Sequence, residues 1–368
     1  MSGTKQHRTM EVTVMGIKEI RKRIDAIDRE LLTLLGERME LGLRARRCKE
    51  ETRDSAREAE VLDRARLGSP PPLDPGFAAS MFESVMAESR RLQDRAPRLV
   101  AFQGEHGAYG EMAAHRLVPD GVAIPCTEFA DVFTGLEQGA FDAGVVPVEN
   151  LLEGAVARVD ELLAGTSLVV AGEHMLPIHH SLLAPRGTDH REIRAVYSHP
   201  QALAQCRGFV TRNGLEVRPY YDTAGAARML AREAPHGAAA IASTACAELY
   251  GLEVIKEEIE DSPENATRFL LLAREPAASG DKCSIVFATA HEAGQLHAAL
   301  GLFAREGVNL TRVASLPMRD SPGAYRFLVD FEGSVRDDRV TRILDALKER
   351  TLTFRFLGCY PAVASPRS

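Results

Sequence analysis

The N-terminal part of the chain has the apolar spacing of a long amphipathic helix. Apolar side chains recur at steps of three and four residues, and this spacing places them in one stripe. The stripe comprises Ile17, Ile20, Ile24, Ile27, Leu31 and Leu34. Gly68 to Pro72 interrupts the pattern, and Asp74-Pro75 predicts an N-cap and first-turn proline that open a helix ending near Arg95. We predict an all-helical domain over residues 16–96. A thin helical domain buries its apolar stripe poorly in a single chain. We therefore expect a homodimer or a dimer of dimers.

The pattern changes over residues 98–274 to short apolar strands that alternate with helical segments. The predicted strands are Leu99–Phe102, Ala143–Val148, Leu168–Ala171, Ala195–Tyr197, Ala238–Ala242 and Phe269–Ala273. Alternation of this kind indicates an α/β domain, and ligands of such domains bind at the loops that follow the strands.

A linker at residues 275–281 separates this region from a third pattern over residues 282–361. Strand, helix, strand, strand, helix and strand follow one another, an order typical of an α+β ferredoxin-like domain. The predicted strands are Ser284–Thr289, Val308–Ser315, Ala324–Phe331 and Leu352–Leu357. Residues 1–15 are polar without an apolar core, which predicts a disordered tail and not a signal peptide. The chain is therefore predicted to be multidomain.

Composition excludes several classes of protein. The net charge of −7 disfavours nucleic-acid binding, because nothing offsets repulsion from phosphates. No apolar run approaches the length of about 18 residues needed to cross a membrane. Six scattered cysteines without a C-x-x-C pair indicate reduced thiols and a cytoplasmic protein. No metal site is expected.

Charged residues in the helical domain occupy positions that suit a ligand. Arg38 falls in the phase of the apolar stripe, and Lys49 follows eleven residues later, so both face the same way on an unbroken helix. Arg21 points elsewhere, roughly 100° around the axis. Asp54, Arg57 and Glu58 share a face of the next helix, and Ser89 and Gln93 lie one turn apart. Each of these polar residues alone is typical of a solvated helix surface. Their occurrence together in one domain favours a binding site.

These residues resemble the all-helical chorismate mutase family, through R-x-x-I-x-x-[IL]-D at 21–28, R-D-x-x-R-E at 53–58 and the Ser89/Gln93 pair. The resemblance implies that Arg21, Arg38, Lys49, Asp54, Arg57, Glu58, Ser89 and Gln93 contact chorismate. It also implies an interlocked dimer in which one arginine reaches the partner's site, a role that suits Arg21. The rearrangement is pericyclic and needs no cofactor. Lys49 and Gln93 would donate to the breaking ether oxygen, and Glu58 would accept from the substrate hydroxyl.

Four polar loops stand out in the α/β region. The loop at residues 104–109 opens a helix, so its backbone N–H groups could hold an anion. Asn150 follows one strand, Ser198 and Gln201 follow another, and Thr267 and Arg268 begin a buried strand. As separate features they are typical of turns and caps.

Together the loops closely resemble prephenate and arogenate dehydratases, through V-P-V-E-N, Y-S-H-P-Q-A-L-A-Q-C, D-T-A-G-A-A and N-x-T-R-F. The resemblance implies two lobes like those of type II periplasmic binding proteins, with prephenate in the cleft. Thr267 would be the catalytic hydroxyl and Arg268 the carboxylate anchor, while Asn150, Ser198, Gln201 and Thr223 would line the cleft. Leu151 and Gly110 stand where relatives carry hydroxyls. His199 is either an acid or a structural residue at a helix start.

The last region resembles an ACT domain, with Gly294, Leu296 and Ser315 at its phenylalanine-binding motifs. A-S-L-P replaces the family's E-S-R-P at residues 314–317, so both charges are lost and phenylalanine should inhibit weakly or not at all. A dimerising face is expected at Leu296, Leu300, Val308, Leu310 and Phe327. The whole chain resembles a bifunctional enzyme that makes phenylpyruvate from chorismate. An arogenate dehydratase and an inactive ligand sensor are the alternatives.

Overall fold

The computed structural model describes residues 16–49, 51–318 and 324–363. The described residues form two compact units: residues 16–46 with 51–94, and residues 47–49 with the chain from 95 onward. The tail at 1–15, for which the sequence predicts disorder, lies outside the described residues.

The first unit consists of three helices: α1 (Ile17–Arg46), α2 (Ser55–Leu67) and α3 (Pro75–Asp94). Asp74 accepts a hydrogen bond from the backbone N–H of Phe77 at 2.8 Å, so the predicted cap and proline start of α3 are confirmed. Leu43 is the buried residue of α1, whereas the predicted stripe is about half exposed, for example 53% at Ile27. A single chain therefore leaves this apolar surface uncovered.

The second unit begins with a run of alternating strands and helices. Its strands are β1 (Leu99–Gln103), β2 (Val122–Cys126), β3 (Ala143–Asn150), β4 (Gly154–Ala155), β5 (Val169–Pro177), β6 (Ser181–Pro185), β7 (Ala195–Ser198), β8 (Glu216–Pro219), β9 (Ala238–Ala242), β10 (Leu252–Lys256) and β11 (Ala266–Ala273). Its helices are α4 (Tyr109–Leu117), α5 (Phe129–Glu137), α6 (Ala157–Gly165), α7 (Pro200–Gln205), α8 (Arg207–Arg212), α9 (Thr223–Glu233) and α10 (Thr244–Tyr250).

Two sheets divide this region into two lobes, as predicted. The first lobe has the strand order β2-β1-β3-β11-β5 with β4 beside β3, and the second has β10-β6-β9-β7-β8. The late strand β11 returns to the first lobe and lies antiparallel between β3 and β5. This return puts Thr267 opposite Asn150 in the β3–β11 register. Sequence-distant loops therefore meet where the lobes join.

The remaining chain forms the βαββαβ domain that the sequence predicts, here called the terminal domain. It contains β12 (Lys282–Ala288), α11 (Gln295–Glu306), β13 (Leu310–Pro317), β14 (Tyr325–Glu332), α12 (Asp338–Arg350) and β15 (Thr353–Tyr360), in an antiparallel sheet ordered β13-β14-β12-β15. The structure corrects the expected dimerising face at two positions. Val308 and Phe327 are buried in this domain's own core, whereas Leu296, Leu300 and Leu310 are partly buried and pack against it, and their role in a dimer remains a prediction.

Candidate active sites

A cavity of about 360 Å³ lies in the cleft between the two lobes. Its walls come from the ends of β1 and β3, the start of β11, and the first residues of α4, α7 and α9. The polar lining residues are Gln103, Tyr109, Asn150, His180, His199, Gln201, Gln205, Tyr221, Asp222, Thr223 and Thr267. No lysine or arginine is among the lining residues, all of which belong to the described part of the chain. Neutral donors and helix N-termini therefore dominate the cleft.

The hydrogen bonds of Asn150 fix the direction of the Thr267 hydroxyl. Backbone N–H groups of Leu152 and Glu153 donate to Asn150 Oδ1 at 3.0 and 3.1 Å, which identifies that atom as the oxygen. Asn150 Nδ2 therefore donates to Thr267 Oγ1 at 2.9 Å and to Asn265 Oδ1 at 2.8 Å. Since the Thr267 oxygen is the acceptor in this bond, its own proton remains available for donation.

A buried polar chain continues from this pair into the second lobe. Asn265 Nδ2 donates to Gln205 Oε1 at 3.1 Å, and His180 Nε2 lies 2.9 Å from the same oxygen. The Tyr109 hydroxyl lies 3.1 Å from His180 Nδ1 and donates to the His179 carbonyl at 2.7 Å. Burial lowers the pKa of His180 and raises that of Tyr109 well above its usual value. Both groups are therefore neutral near pH 7.

The motifs that carry the resemblance already contained two of these residues. Asn265 begins N-x-T-R-F, and Gln205 lies in Y-S-H-P-Q-A-L-A-Q-C. Sequence reasoning did not select them because an amide near a helix end has many ordinary structural roles. Tyr109 ends the loop at residues 104–109 that the sequence had already singled out, whereas its contact with His180 depends on the fold.

Four of the predicted dehydratase residues line the cleft: Thr267, Asn150, Gln201 and Thr223. Their individual roles remain predictions. Ser198 does not line it. Its hydroxyl is fully buried and donates to the Ile241 carbonyl at 2.6 Å, tying β7 to β9. The expected cleft role of Ser198 is therefore replaced by a structural one.

Arg268 also departs from its predicted role. Its side chain is buried and its nitrogens donate to Glu173 at 2.7 Å, to Asp330 at 2.6 Å and to the Tyr360 hydroxyl at 3.1 Å. Successive side chains of a strand point to opposite faces, so Arg268 turns away from the cleft that Thr267 faces. The prediction that Arg268 anchors a substrate carboxylate is corrected accordingly.

The loop at residues 104–109 connects the lobes rather than holding an anion. The Gly107 N–H donates to Glu111 Oε2 at 2.6 Å, so it is not directed at a ligand. The second lobe holds the loop's carbonyls, through Ser243 to Gly107 and Tyr250 to His106, both at 2.7 Å. The N–H groups of Gly104 and Ala108 also bond within the protein, to the Cys126 and Glu105 carbonyls, so the predicted anion-holding loop is corrected to a connection between the lobes.

Two further groups at the cleft wall cap helices. The His199 ring accepts from the Gln201 N–H at 3.3 Å at the start of α7, which supports the structural alternative for His199. Asp222 accepts from the Gly225 N–H at 2.8 Å at the start of α9. Burial raises the pKa of Asp222, although these backbone bonds oppose the shift.

The helical unit brings part of the predicted mutase set together. Arg38 and Arg57 line a cavity of about 500 Å³, and Arg64 joins them. Separately, Gln93 Nε2 donates to Ser89 Oγ at 2.9 Å, and Arg90 pairs with Glu58 at 2.5 Å.

The other predicted mutase residues are placed differently. Asp54 caps α2 by accepting from the Arg57 N–H at 3.0 Å, and Arg21 is exposed on α1. The expectation that Lys49 shares an unbroken helix with Arg38 is wrong, since α1 ends at Arg46.

The predicted effector residues lie at the start of α11 and on β13. Gly294 caps α11 with a φ of +85°, a conformation that favours glycine. Leu296 packs against the terminal domain's core, and Ser315 is exposed while Leu316 is buried. The two motifs keep their predicted elements, and their binding role remains a prediction.

The described residues contain no cluster of His, Cys, Asp and Glu side chains that could hold a metal ion. Within the same residues, no helix combines the length and apolarity that a membrane crossing requires.

A three-helix unit with clustered arginines, a two-lobed α/β cleft and a βαββαβ domain define a multidomain enzyme with two separate sites. The family profile for chorismate mutase type II matches residues 20–94, and that for prephenate dehydratase matches residues 100–277. The bifunctional chorismate mutase/prephenate dehydratase of Escherichia coli K12 is 33% identical over 369 residues, which is 93% of this chain and 95% of that protein. The chain belongs to this family of bifunctional enzymes and carries both activities.

Two further relatives each match more than two thirds of the chain. Arogenate dehydratase/prephenate dehydratase 2 of Arabidopsis thaliana is 42% identical over 275 residues, 71% of this chain and 72% of that protein. The crystal structure of prephenate dehydratase from Arthrobacter aurescens in complex with L-Phe has 33% identity and a TM-score of 0.67, and the match covers 73% of this chain and 94% of that one.

Proposed function

We propose that Thr267 is the proton-donating hydroxyl of the dehydratase reaction and that Asn150 sets its direction. Prephenate loses its ring carboxylate as CO2, the bonding electrons enter the ring, and the 4-hydroxyl departs with a proton as water. A hydrogen bond to the departing oxygen lowers the barrier most if it strengthens as charge develops there. The supporting observation is that Asn150 Nδ2 donates to Thr267 Oγ1 at 2.9 Å, leaving the threonine proton for the substrate.

The surrounding cleft supports the same assignment. The polar chain through Asn265, Gln205 and His180 is buried, so the threonine and its amide partner are held without water competition. Aromatisation supplies the driving force, so a positioned neutral donor suffices and no strong acid is required.

Replacing Thr267 tests this proposal. Thr267→Ala should lower the kcat for prephenate by about 10²-fold or more, the scale of removing one oriented donor, with little change in KM. Thr267→Ser should retain part of the activity because it keeps the hydroxyl. The melting temperature of the dehydratase unit in the same samples serves as the control for folding. An equal loss of affinity and kcat in Thr267→Ala would instead indicate a binding role.

For the mutase reaction, we propose that the eight predicted residues bind chorismate in a site completed by a second copy of the chain. Arg38 and Arg57 already share a cavity wall, and guanidinium groups suit the substrate's two carboxylates. The half-exposed stripe of α1 supports a dimer, since burial of such a surface is the usual remedy. Lys49, Gln93, Glu58, Asp54, Ser89 and Arg21 would complete the site.

We further propose prephenate as the preferred dehydratase substrate, because the same chain produces prephenate in its mutase reaction. Arogenate remains the alternative, since the Arabidopsis relative is named for both substrates. Comparing kcat/KM for the two compounds decides between them. Reduced thiols and the family's chemistry favour a cytoplasmic enzyme. Phenylalanine, bound in the Arthrobacter relative, is proposed to bind weakly here because Ala314 and Leu316 carry no charge.

A further inference from the structure

A buried charge cluster joins the terminal domain to the dehydratase's first lobe. It consists of two basic residues, Arg268 and Lys282, and two acidic residues, Glu173 and Asp330, each at most 9% exposed. Glu173 and Arg268 belong to the first lobe, whereas Lys282 and Asp330 belong to the terminal domain. The charges balance within the cluster, which is what permits their burial.

Arg268 is the centre of this cluster, and its partners come from both sides. Glu173 on β5 accepts from Nε at 2.7 Å, while Asp330 on β14 accepts from one terminal nitrogen at 2.6 Å. The other terminal nitrogen donates to the Tyr360 hydroxyl at 3.1 Å, and Ser284 Oγ lies 2.6 Å from Asp330 and 2.7 Å from Tyr360. Although burial opposes its charge, the neighbouring carboxylates raise the pKa of Arg268, which therefore stays charged.

A second buried salt bridge connects the terminal domain to the part of the first lobe that contains β3. Arg312 on β13 pairs with Asp160 of α6 and donates to the Val148 carbonyl of β3 at 3.3 Å. Val148 lies two residues before Asn150 on the same strand. The terminal domain therefore contacts both strands that carry the Asn150–Thr267 pair, β3 through Arg312 and β11 through Arg268.

The geometry of strand β11 links the contacts of Arg268 to the position of the Thr267 hydroxyl in the cleft. Thr267 and Arg268 are adjacent on β11, and their side chains point to opposite faces of the strand. Fixing the Arg268 guanidinium from the terminal domain therefore fixes the backbone from which the Thr267 hydroxyl projects. The ladder to β3 changes register immediately after Arg268, while the ladder to β5 continues regularly, so strand pairing fixes this point from one side only.

We propose that Arg268 is a positioning residue of the dehydratase and that the terminal domain, through Asp330 and Tyr360, supplies the contacts that set the Thr267 hydroxyl. Arg312 does the same for Asn150. This inference rests on the proposed role of Thr267. A displaced hydroxyl loses transition-state stabilisation more than substrate binding, so the effect belongs to kcat.

The test compares two cluster variants with two matched arginine controls in the full-length enzyme. Tyr360→Phe removes only the hydroxyl and keeps the ring in the core, and Asp330→Asn removes the charge but keeps the shape. Arg355→Gln breaks another contact between the terminal domain and the first lobe, to the Leu163 carbonyl. Arg274→Gln breaks contacts of the residue after β11 to the carbonyls of Leu136 and Phe141.

We expect Asp330→Asn to lower kcat for prephenate by about tenfold or more, and Tyr360→Phe by about threefold, with KM nearly constant, since small misplacements of reacting groups cost rate steeply. Mutase activity should be unchanged. The arginine controls should keep kcat even where their melting temperature falls.

Two outcomes overturn the proposal. The first is that Asp330→Asn and Tyr360→Phe both retain the parent kcat. The second is that Arg355→Gln, at the same loss of melting temperature as a cluster variant, lowers kcat by the same factor. Thr267→Ala distinguishes the proposed donor role of Thr267 from the positioning role of Arg268. If it is inactive while the cluster variants are normal, only the positioning role fails. If it is active, the proposed role of Thr267 fails.

Discussion

Replacing Asn150 with aspartate reverses the hydrogen bond on which the dehydratase proposal depends. The two backbone N–H groups of Leu152 and Glu153 still find an oxygen at the same place. The former Nδ2 becomes an acceptor, however, so Thr267 must donate to it and no longer offers its proton to the substrate. The bond to Thr267 at 2.9 Å is thus reversed, and the bond to the Asn265 oxygen at 2.8 Å is lost.

The magnitude of the stability loss follows from the one bond that cannot reverse. The Asn265 oxygen keeps no donor and faces another oxygen, so the free energy of unfolding should fall by about 1–3 kcal/mol at pH 7, the cost of leaving a buried polar group unsatisfied. Loss of the oriented donor should lower kcat by about 10²-fold. Thr267 can turn its proton toward the new carboxylate, whereas Asn265 cannot invert its amide freely, because its Nδ2 donates to Gln205 at 3.1 Å.

Steady-state kinetics with prephenate between pH 5 and 8 are the assay, with denaturant unfolding on the same samples. The new carboxylate should raise KM as well, because the substrate is an anion, so kcat is the diagnostic quantity. Protonation of the new side chain restores a donor, so the activity relative to the parent should rise as the pH falls. Asn213→Asp, an exposed amide that bonds the Phe209 carbonyl at 2.9 Å, is the matched control. A folded Asn150→Asp enzyme with kcat within about threefold of the parent would refute the reasoning.

Three further expectations concern the mutase, the cleft and the terminal domain. Refolding Arg21→Ala and Arg38→Ala chains together should restore part of the mutase activity that each lacks alone, and no rescue would mean that one chain supplies both ligands. Burial lowers the folded pKa of His180, so the unfolded chain binds more protons below about pH 6.5 and stability should fall as the pH drops through that value. Melting temperatures of His180→Gln should show a shallower loss, and an unchanged slope would contradict this assignment. Calorimetry should show weak phenylalanine binding, and low-micromolar affinity with matching inhibition would contradict the argument from Ala314 and Leu316.

Periodicity predicted the elements whose apolar pattern is strong and missed those whose pattern is weak. Strand β9, Ala238–Ala242, is buried at every position and was predicted with its exact bounds. Strand β8, Glu216–Pro219, is exposed at every position and has no apolar signal, so only its pairing with β7 makes it a strand. Strand β2 contains Pro125, which argues against a central strand but is tolerated here because β2 lies at the edge of its sheet. These strands exist because tertiary pairing supplies what local sequence does not.

The candidate cleft was predictable as a set of loops but not as a set of contacts. Thr267, Asn150, Gln201 and Thr223 line the cavity because loops at strand ends converge at the junction of the lobes. The polar chain through His180 depends on Gln205 of the second lobe meeting Asn265, just before β11, at a sequence separation of 60 residues. No rule based on residue spacing predicts a contact between residues so far apart in sequence.

The two corrected residues of the cleft show why a motif does not define one site. Thr267, Arg268 and Phe269 are consecutive, yet Thr267 and Phe269 line the cavity while Arg268 joins the terminal domain. Ser198 and His199 are also adjacent and have different environments. Ser198 bonds the neighbouring strand β9, whereas His199 caps α7 at the cleft wall. In a strand, neighbours in sequence face opposite sides, so a motif that spans a strand serves two environments at once. For N-x-T-R-F, the two environments are the cleft and the boundary with the terminal domain, and our proposal predicts that substitutions in the terminal domain alter dehydratase turnover without contacting its substrate.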